Sequence, residues 1–276
     1  MRLSPVVVKS LRKRTVPSKS ACDQNRLPSQ IVTGGSRNIP GAEAVSMCTR
    51  PAVPLAVTRF IHENSLSLVF GALFLLTAVG QLVAGFYAYN DDALQHRQSA
   101  ITLVEYAGSG HFLEALFENW ESEFLQMALF IVLTAHLHQK GSAESKKPAQ
   151  DEPHDEDPRR HRADRDAPWA VRRGGWVLDL YEHSLSIAVF ALFAVSLALH
   201  AAYGLRNINE ERLAHGDSAM AWPAYLSSSQ FWFESLQNWQ SEFFSLLAII
   251  ILSIVLREKG STQSKRVAAQ HAETGS

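Results

Sequence analysis

The chain has 276 residues, 46% of them hydrophobic and 19% charged, with a formal net charge of −1. A charge so near zero gives no electrostatic footprint for nucleic acid, and none is expected as a partner. Its two cysteines, Cys22 and Cys48, both lie in the N-terminal tail without metal-type spacing. They make neither a disulfide framework nor a zinc site, and are read as idle thiols.

Residues 1–58 show no helical or strand periodicity. Pro5, Pro17, Pro28, Pro40, Pro51 and Pro54 stand among basic and small residues, which reads as a disordered basic tail. Val6-Val7-Val8 is too short for a signal-peptide core, and the stretch to Ser20, basic and acid-free, is only faintly like a transit peptide. Met47 lies just ahead of the first apolar block, where an alternative start would fall.

The first apolar block runs from Leu66 to about Tyr89 without a charge, and about 20 such residues suffice to cross a bilayer core. After a polar loop at 90–118 comes a shorter block, Phe124 to Leu137. The aromatic residues just upstream extend it toward spanning length, with Trp120 at interfacial depth. Residues 143–172 follow: an acidic run from Asp151 to Asp157, then a basic one from Arg159 to Arg165, with Pro148, Pro153, Pro158 and Pro168. Opposite charge blocks among prolines predict a solvated, disordered linker, in which His154 and His161 lack patterned metal partners. A third block, Leu185 to about Leu205, a loop at 206–237 and a fourth block, Phe243 to Leu256, complete the apolar series before a disordered tail at 262–276.

The chain states this plan twice. Moved by 119 residues, Glu63-Asn64-Ser65-Leu66-Ser67 falls on Glu182-His183-Ser184-Leu185-Ser186, and Asn119-Trp120-Glu121-Ser122-Glu123-Phe124 falls on Asn238-Trp239-Gln240-Ser241-Glu242-Phe243. Lys140-Gly141-Ser142 and Ser145-Lys146 fall on Lys259-Gly260-Ser261 and Ser264-Lys265. From 63 to 146 the offset needs no gap, and roughly a third of the positions are identical. Ten lysines and arginines precede Leu66, nine separate the second and third blocks and four follow the fourth, while the two remaining loops together hold three. That bias predicts both termini and the linker in the cytoplasm. The fold expected is all-α: four transmembrane helices in two parallel helical-hairpin repeats with short amphipathic outer segments. Repeat 1 covers 59–142 (spans about 66–89 and 120–138), and repeat 2 covers 173–261 (spans about 185–205 and 239–257).

The candidate chemistry lies in the doubled motif. On a helix started at Phe112, residues Phe112, Leu116, Trp120, Met127 and Phe130 share one face, and Glu114, Glu118 and Glu121 lie opposite. Glu123 falls on the apolar face beside Asn119. In the second copy the opposite acids become Phe233, Gln237 and Gln240, whereas Glu242 stays, flanked by Asn238 and Trp239. The candidate set is therefore Asn119, Trp120, Ser122, Glu123 and Phe124 with Asn238, Trp239, Ser241, Glu242 and Phe243. A carboxylate at the hydrocarbon boundary turns toward the bundle, and two such acids brought together would take up a proton or cation. The plainer reading has Asn, Ser and Glu satisfying backbone groups and Trp anchoring the interface.

Weaker candidates are Glu63 and Glu182 ahead of the first and third spans, suited to a helix start; His96 and His215 in the outer loops; and Gln81 and His200 within those spans, read as packing glue. His62 and His183 neighbour the acids at unmatched positions, which argues against a shared metal site. The Lys-Gly-Ser motifs read as helix C-termini, a cation in the last turn and glycine at the stop. No HExxH, GxSxG, GxGxxG or CxxC occurs, and the His111/Glu114 pair becomes Gln230/Phe233 in the second copy. No catalytic residue, metal or cofactor is expected.

The Glu-x-Ser-Leu-Ser start, the Asn-Trp-x-Ser-Glu-Phe centre and the Lys-Gly-Ser-x-x-Ser-Lys exit together resemble a bacterial integral membrane protein family, a domain of unknown function with two tandem copies of this unit. The resemblance covers about residues 59–266, and the long N-terminal tail departs from it. It implies a multi-pass protein of the bacterial inner membrane and supplies no substrate or cofactor. The function expected is a non-enzymatic membrane scaffold or interaction protein, with the lipid bilayer, a second copy or another membrane protein as partner. The alternative is a small proton or cation transporter or channel using Glu123 and Glu242. A conduction path usually needs a chain of ionisable residues, and the spans read as lacking one.

Overall fold

The structure is a computed structural model that describes residues 55–147 and 152–275, where every regular element is helical. The expectations for 1–54, the two cysteines included, lie outside the described residues. The chain divides at Thr58 into two units, and the second, Arg59–Ser276, holds the long helices.

Helix α1 (Leu55–Glu63) is parted from α2 (Ser65–Gln95) at Asn64, whose Nδ2 donates back to the Phe60 carbonyl at 2.8 Å. Next come α3 (Leu103–Ala107) and α4 (Gly110–His136), then α5 (Trp169–Arg173), α6 (Trp176–Glu182), α7 (Ser184–Ala214), α8 (Trp222–Leu226) and α9 (Ser229–Val255). Glu63 and Glu182 close α1 and α6 rather than opening the long helices, and Glu63 pairs with Arg59 at 2.7 Å. Helices α2 and α7 have 31 residues each, α4 and α9 have 27. At about 1.5 Å per residue these are about 46 and 40 Å long, against about 30 Å of bilayer hydrocarbon. The starts and ends of α7, α8 and α9 follow those of α2, α3 and α4 at the same spacing of 119 residues.

Residues that the two halves share build the same corners in both. The Asn90 amide brackets the Ile101 backbone, donating to its carbonyl at 3.0 Å and accepting from its N–H at 2.8 Å; Asn209 brackets Met220 in the same way, at 3.1 and 2.6 Å. The hydroxyls of Ser109 and Ser228 cap α4 and α9 by accepting from Phe112 N and Phe231 N. Tyr106 and Tyr225, both buried, lay their phenol ends against Gly85 and Gly204, where any side chain would collide with the ring.

Helix α4 is central. It packs along α7 and against α9, and it meets α2 through the ring pairs Phe74–Trp120 and Tyr89–His111. Gly110 lets α4 approach the α7 backbone at Asn207. Three of the long helices, α2, α7 and α9, are long and apolar enough to cross a membrane. Helix α4 equals α9 in length but carries Glu114, Glu118, Glu121 and Glu123.

The ends of the halves differ from expectation. Helices α4 and α9 stop at His136 and Val255, so the Lys-Gly-Ser motifs lie beyond them. Gly141 and Gly260, at φ 87° and 89°, occupy tight turns that only glycine adopts freely. In these turns the Ser145 and Ser264 hydroxyls accept from Gln139 N and Glu258 N at 2.8 Å. The described part of the segment expected as a disordered linker is folded: two 3-10 turns, Pro153–Asp155 and Pro158–His161, precede α5. Its charges are paired, Lys146 with Asp155 inside the segment and Arg159 with Asp179 of α6. The C-terminal segment, also expected to be disordered, folds back: Lys265 is buried and donates to the carbonyls of Gln270, His271 and Glu273, while Gly275 N bonds Ser142 O at 2.9 Å.

Candidate functional site

A polar cluster lies enclosed where α4, α7 and α9 meet. His200, from the middle of α7, is fully buried, and its Nδ1 lies 2.6 Å from Oε2 of the equally buried Glu121 on α4. The other Glu121 oxygen accepts from Trp239 Nε1 of α9 at 2.9 Å. One turn to two turns earlier on α4, Glu118 accepts from Asn238 of α9 at 2.5 Å, and Glu114 accepts from Asn207 of α7 at 2.7 Å. Tyr225 OH approaches Glu114 at 3.5 Å. From α9, Glu234 turns its Oε2 to within 3.8 Å of His200 Nε2.

Helical spacing explains the layout. Glu114, Glu118 and Glu121 follow one another at four and three residues, so they form one stripe along α4. Packed between α7 and α9, that stripe faces inward. The expectation had this face outward and Glu123 inward; the structure reverses it. Glu114 and Glu121 are buried and Glu123 is exposed. The physical reason is that α7 and α9 cover the polar stripe of α4 and bring polar partners to it, while on the other side Trp120 packs against Phe74 of α2.

Three buried side-chain atoms among the described residues remain unsatisfied, and one of them, Ser235 Oγ, lies on α9 beside Glu234. His200 Nε2 and Glu234 Oε2 have no hydrogen-bond partner, and 3.8 Å is too long for a bond between them. Glu114, His200 and Glu234 each place one ligand-type atom within 4.8 Å of the others. Four carboxylates thus converge on one imidazole in an enclosed place, an excess of negative charge that burial makes costly.

Above this cluster opens a cavity of about 490 Å³, lined by His96, His111 and His215 with Asp92, Glu210 and Glu211. The two outer-loop histidines therefore share one vestibule although 119 residues separate them. Asn207 lines the same cavity while donating to Glu114, so it links the vestibule with the cluster below.

The doubled motif is divided between roles. Asn238 and Trp239 reach the cluster, whereas their counterparts Asn119 and Trp120 do not: Asn119 turns back to the Ala115 carbonyl and Trp120 packs on Phe74 and Phe117. Ser122 is buried and donates to Asn119 O; Ser241 is exposed. Glu242 is half-buried within electrostatic range of Glu123, and Gln126 donates to its backbone carbonyl at 2.9 Å. Phe124 is half-buried and Phe243 exposed. Gln81 is exposed on α2, whereas His200, its counterpart, is the centre of the cluster. Glu234 escaped the sequence reading because its counterpart is Ala115; the available signal was an acid between Phe233 and the Asn238-Trp239 pair, one helical turn from each of Phe231 and Asn238.

The fold and the site together define a class: an all-α bundle, three of its helices apolar enough to cross a membrane, closed around an acid–histidine cluster. The chain belongs to the family described as domain of unknown function (DUF6766), whose match covers residues 57–276. No curated protein and no solved structure matches the chain.

Proposed function

We propose that this is a four-pass, non-enzymatic protein of the bacterial inner membrane, built of two tandem hairpins, that takes up a proton or cation in the cluster around His200. The enclosed surplus of carboxylates carries the reading: Glu114, Glu118, Glu121 and Glu234 against a single imidazole need a positive charge among them. Helix α4 counts as the fourth span because its acids point at α7 and α9, not at lipid, so average hydropathy understates it. The lysine and arginine bias supports termini and linker on the cytoplasmic side, which puts the vestibule outside.

The test is flux in reconstituted vesicles. Proton or cation movement above that of empty vesicles is expected for the parent, with loss in Glu234→Gln and retention in Glu123→Gln/Glu242→Gln. Flux equal in the parent and Glu234→Gln, or none above empty vesicles, refutes it. A second reading, a membrane scaffold acting as an oligomer, draws on α2, whose apolar window holds no buried residue in the single chain. Absence of flux together with crosslinked oligomers in native membranes is its expected signature.

A further inference from the structure

We infer that Glu114, His200 and Glu234 form a binding site for a divalent transition-metal ion, which enters through the vestibule above Asn207. The inference rests on reading the cluster as a cation site, but it names the cation class and is tested without transport.

Three independent features point to a metal. First, His200 Nε2 is fully buried, has no partner and faces Glu234 Oε2, which also has none. With Nδ1–H donated to Glu121, a neutral imidazole turns a lone pair on Nε2 toward the Glu234 carboxylate, an arrangement that repels unless a cation, a proton or a metal ion, lies between them. Second, Glu121 does to His200 what carboxylates do behind metal-bound histidines: it holds the ring, selects the tautomer and leaves Nε2 free to ligate. Trp239 fixes Glu121 in turn, so the orientation of the ring is set by α4 and α9 together. Third, the spacing suits first-row ions. The three ligand atoms lie within 4.8 Å of one another, and bonds of about 2.1 Å in a tetrahedron would separate them by about 3.4 Å, so a contraction of up to about 1.4 Å seats the ion.

One imidazole and two carboxylates suit zinc, iron(II), cobalt(II) or manganese(II), and disfavour copper(I), which seeks sulfur. A dication offsets two of the buried carboxylates outright. The vestibule supplies the same ligand chemistry at lower density, with three histidines and three acids ahead of Asn207. It concentrates cations at the mouth and leads them to the Glu114 carboxylate.

Zinc is the probe. The full chain, purified in detergent with a histidine-free tag, is dialysed against Zn2+ and its metal content counted, with Co2+ absorption as a second readout. One ion per chain is expected. Glu234→Gln, an isosteric change at a half-buried position, is expected to weaken binding by at least about 100-fold. Glu121→Gln, at a positioning residue, should weaken it about 10–100-fold. Glu123→Gln/Glu242→Gln, away from the cluster, should keep the stoichiometry. Less than one ion on the folded parent, unchanged affinity in Glu234→Gln, or loss of the ion in the Glu123→Gln/Glu242→Gln variant overturns the inference. Zinc bound without flux leaves it standing and ends the transport reading; Glu234-dependent flux without zinc binding does the reverse.

Discussion

Trp120 and Trp239 hold matching places in the two copies of the Asn-Trp-x-Ser-Glu-Phe motif, yet only Trp239 hydrogen-bonds into the cluster. Replacing each by phenylalanine isolates that bond. Both indoles have two aromatic neighbours, Phe74 and Phe117 for Trp120, Phe193 and Trp232 for Trp239, so the packing loss is comparable. Trp239→Phe additionally leaves Glu121 Oε1 without its donor inside the bundle. A hydrogen bond to a charged group contributes about 1.5–3 kcal/mol in water-soluble proteins. Interhelical bonds in membranes average about 0.6 kcal/mol and reach about 1.7, because the dispersed helices also find partners. The expected excess for Trp239→Phe over Trp120→Phe is therefore about 1–2 kcal/mol, a factor of about 5–30 in the folding equilibrium. Denaturant titration in mixed micelles, followed by tryptophan fluorescence, measures it. Equal destabilisation by the two substitutions would refute the assignment of Trp239 as the donor that stabilises Glu121.

Gly110→Ala should destabilise the bundle by about 1–3 kcal/mol, because the new methyl would sit 2.7 Å from Asn207 N and the backbone cannot yield as a side chain would; it should also displace Asn207 from Glu114, and an unchanged melting temperature in detergent would contradict this. In the linker, the His161 imidazolium donates to the Asp164 and Glu156 carboxylates, which hold its pKa above the ordinary value of 6.5. The charged form is thus favoured in the fold, so its contribution is complete below about pH 6.5 and is lost as pH rises through the raised value. Hydrogen exchange across 157–167, corrected for intrinsic rates, should accelerate over that window, and His161→Gln should remove the dependence; a pH-independent profile in the parent would count against the pairing.

Much of the architecture was legible in the chain before any coordinates, because lipid-scale apolar runs and a constant offset leave plain traces. Each long helix contains nearly all of one apolar block: α2 and α7 run six and nine residues past theirs, whereas α4 and α9 begin 14 residues ahead of theirs and stop one residue short, since helix continues wherever backbone bonds do, whether or not the residues are apolar. The site was less legible. Comparing the two copies selects positions that both need, and both need the same corners: Asn90 and Asn209, Gly85 and Gly204, Ser145 and Ser264. A site that exists once is built where the copies differ. Glu114 faces Phe233 in that comparison, Glu121 faces Gln240, His200 faces Gln81 and Glu234 faces Ala115. Retention therefore drew attention to Glu123 and Glu242 and away from the acids that converge.

By itself the sequence determined the class of elements and their order, since length and hydropathy of a segment are local properties. Which face of α4 turns inward was decided only by tertiary structure. A helical wheel ranks faces by polarity and assumes that water lies on the polar side. Here α7 and α9 cover that side and bring His200, Asn207 and Trp239 to meet it. Charges that would be solvated on an isolated helix are, in the packed bundle, enclosed among polar partners from two other helices.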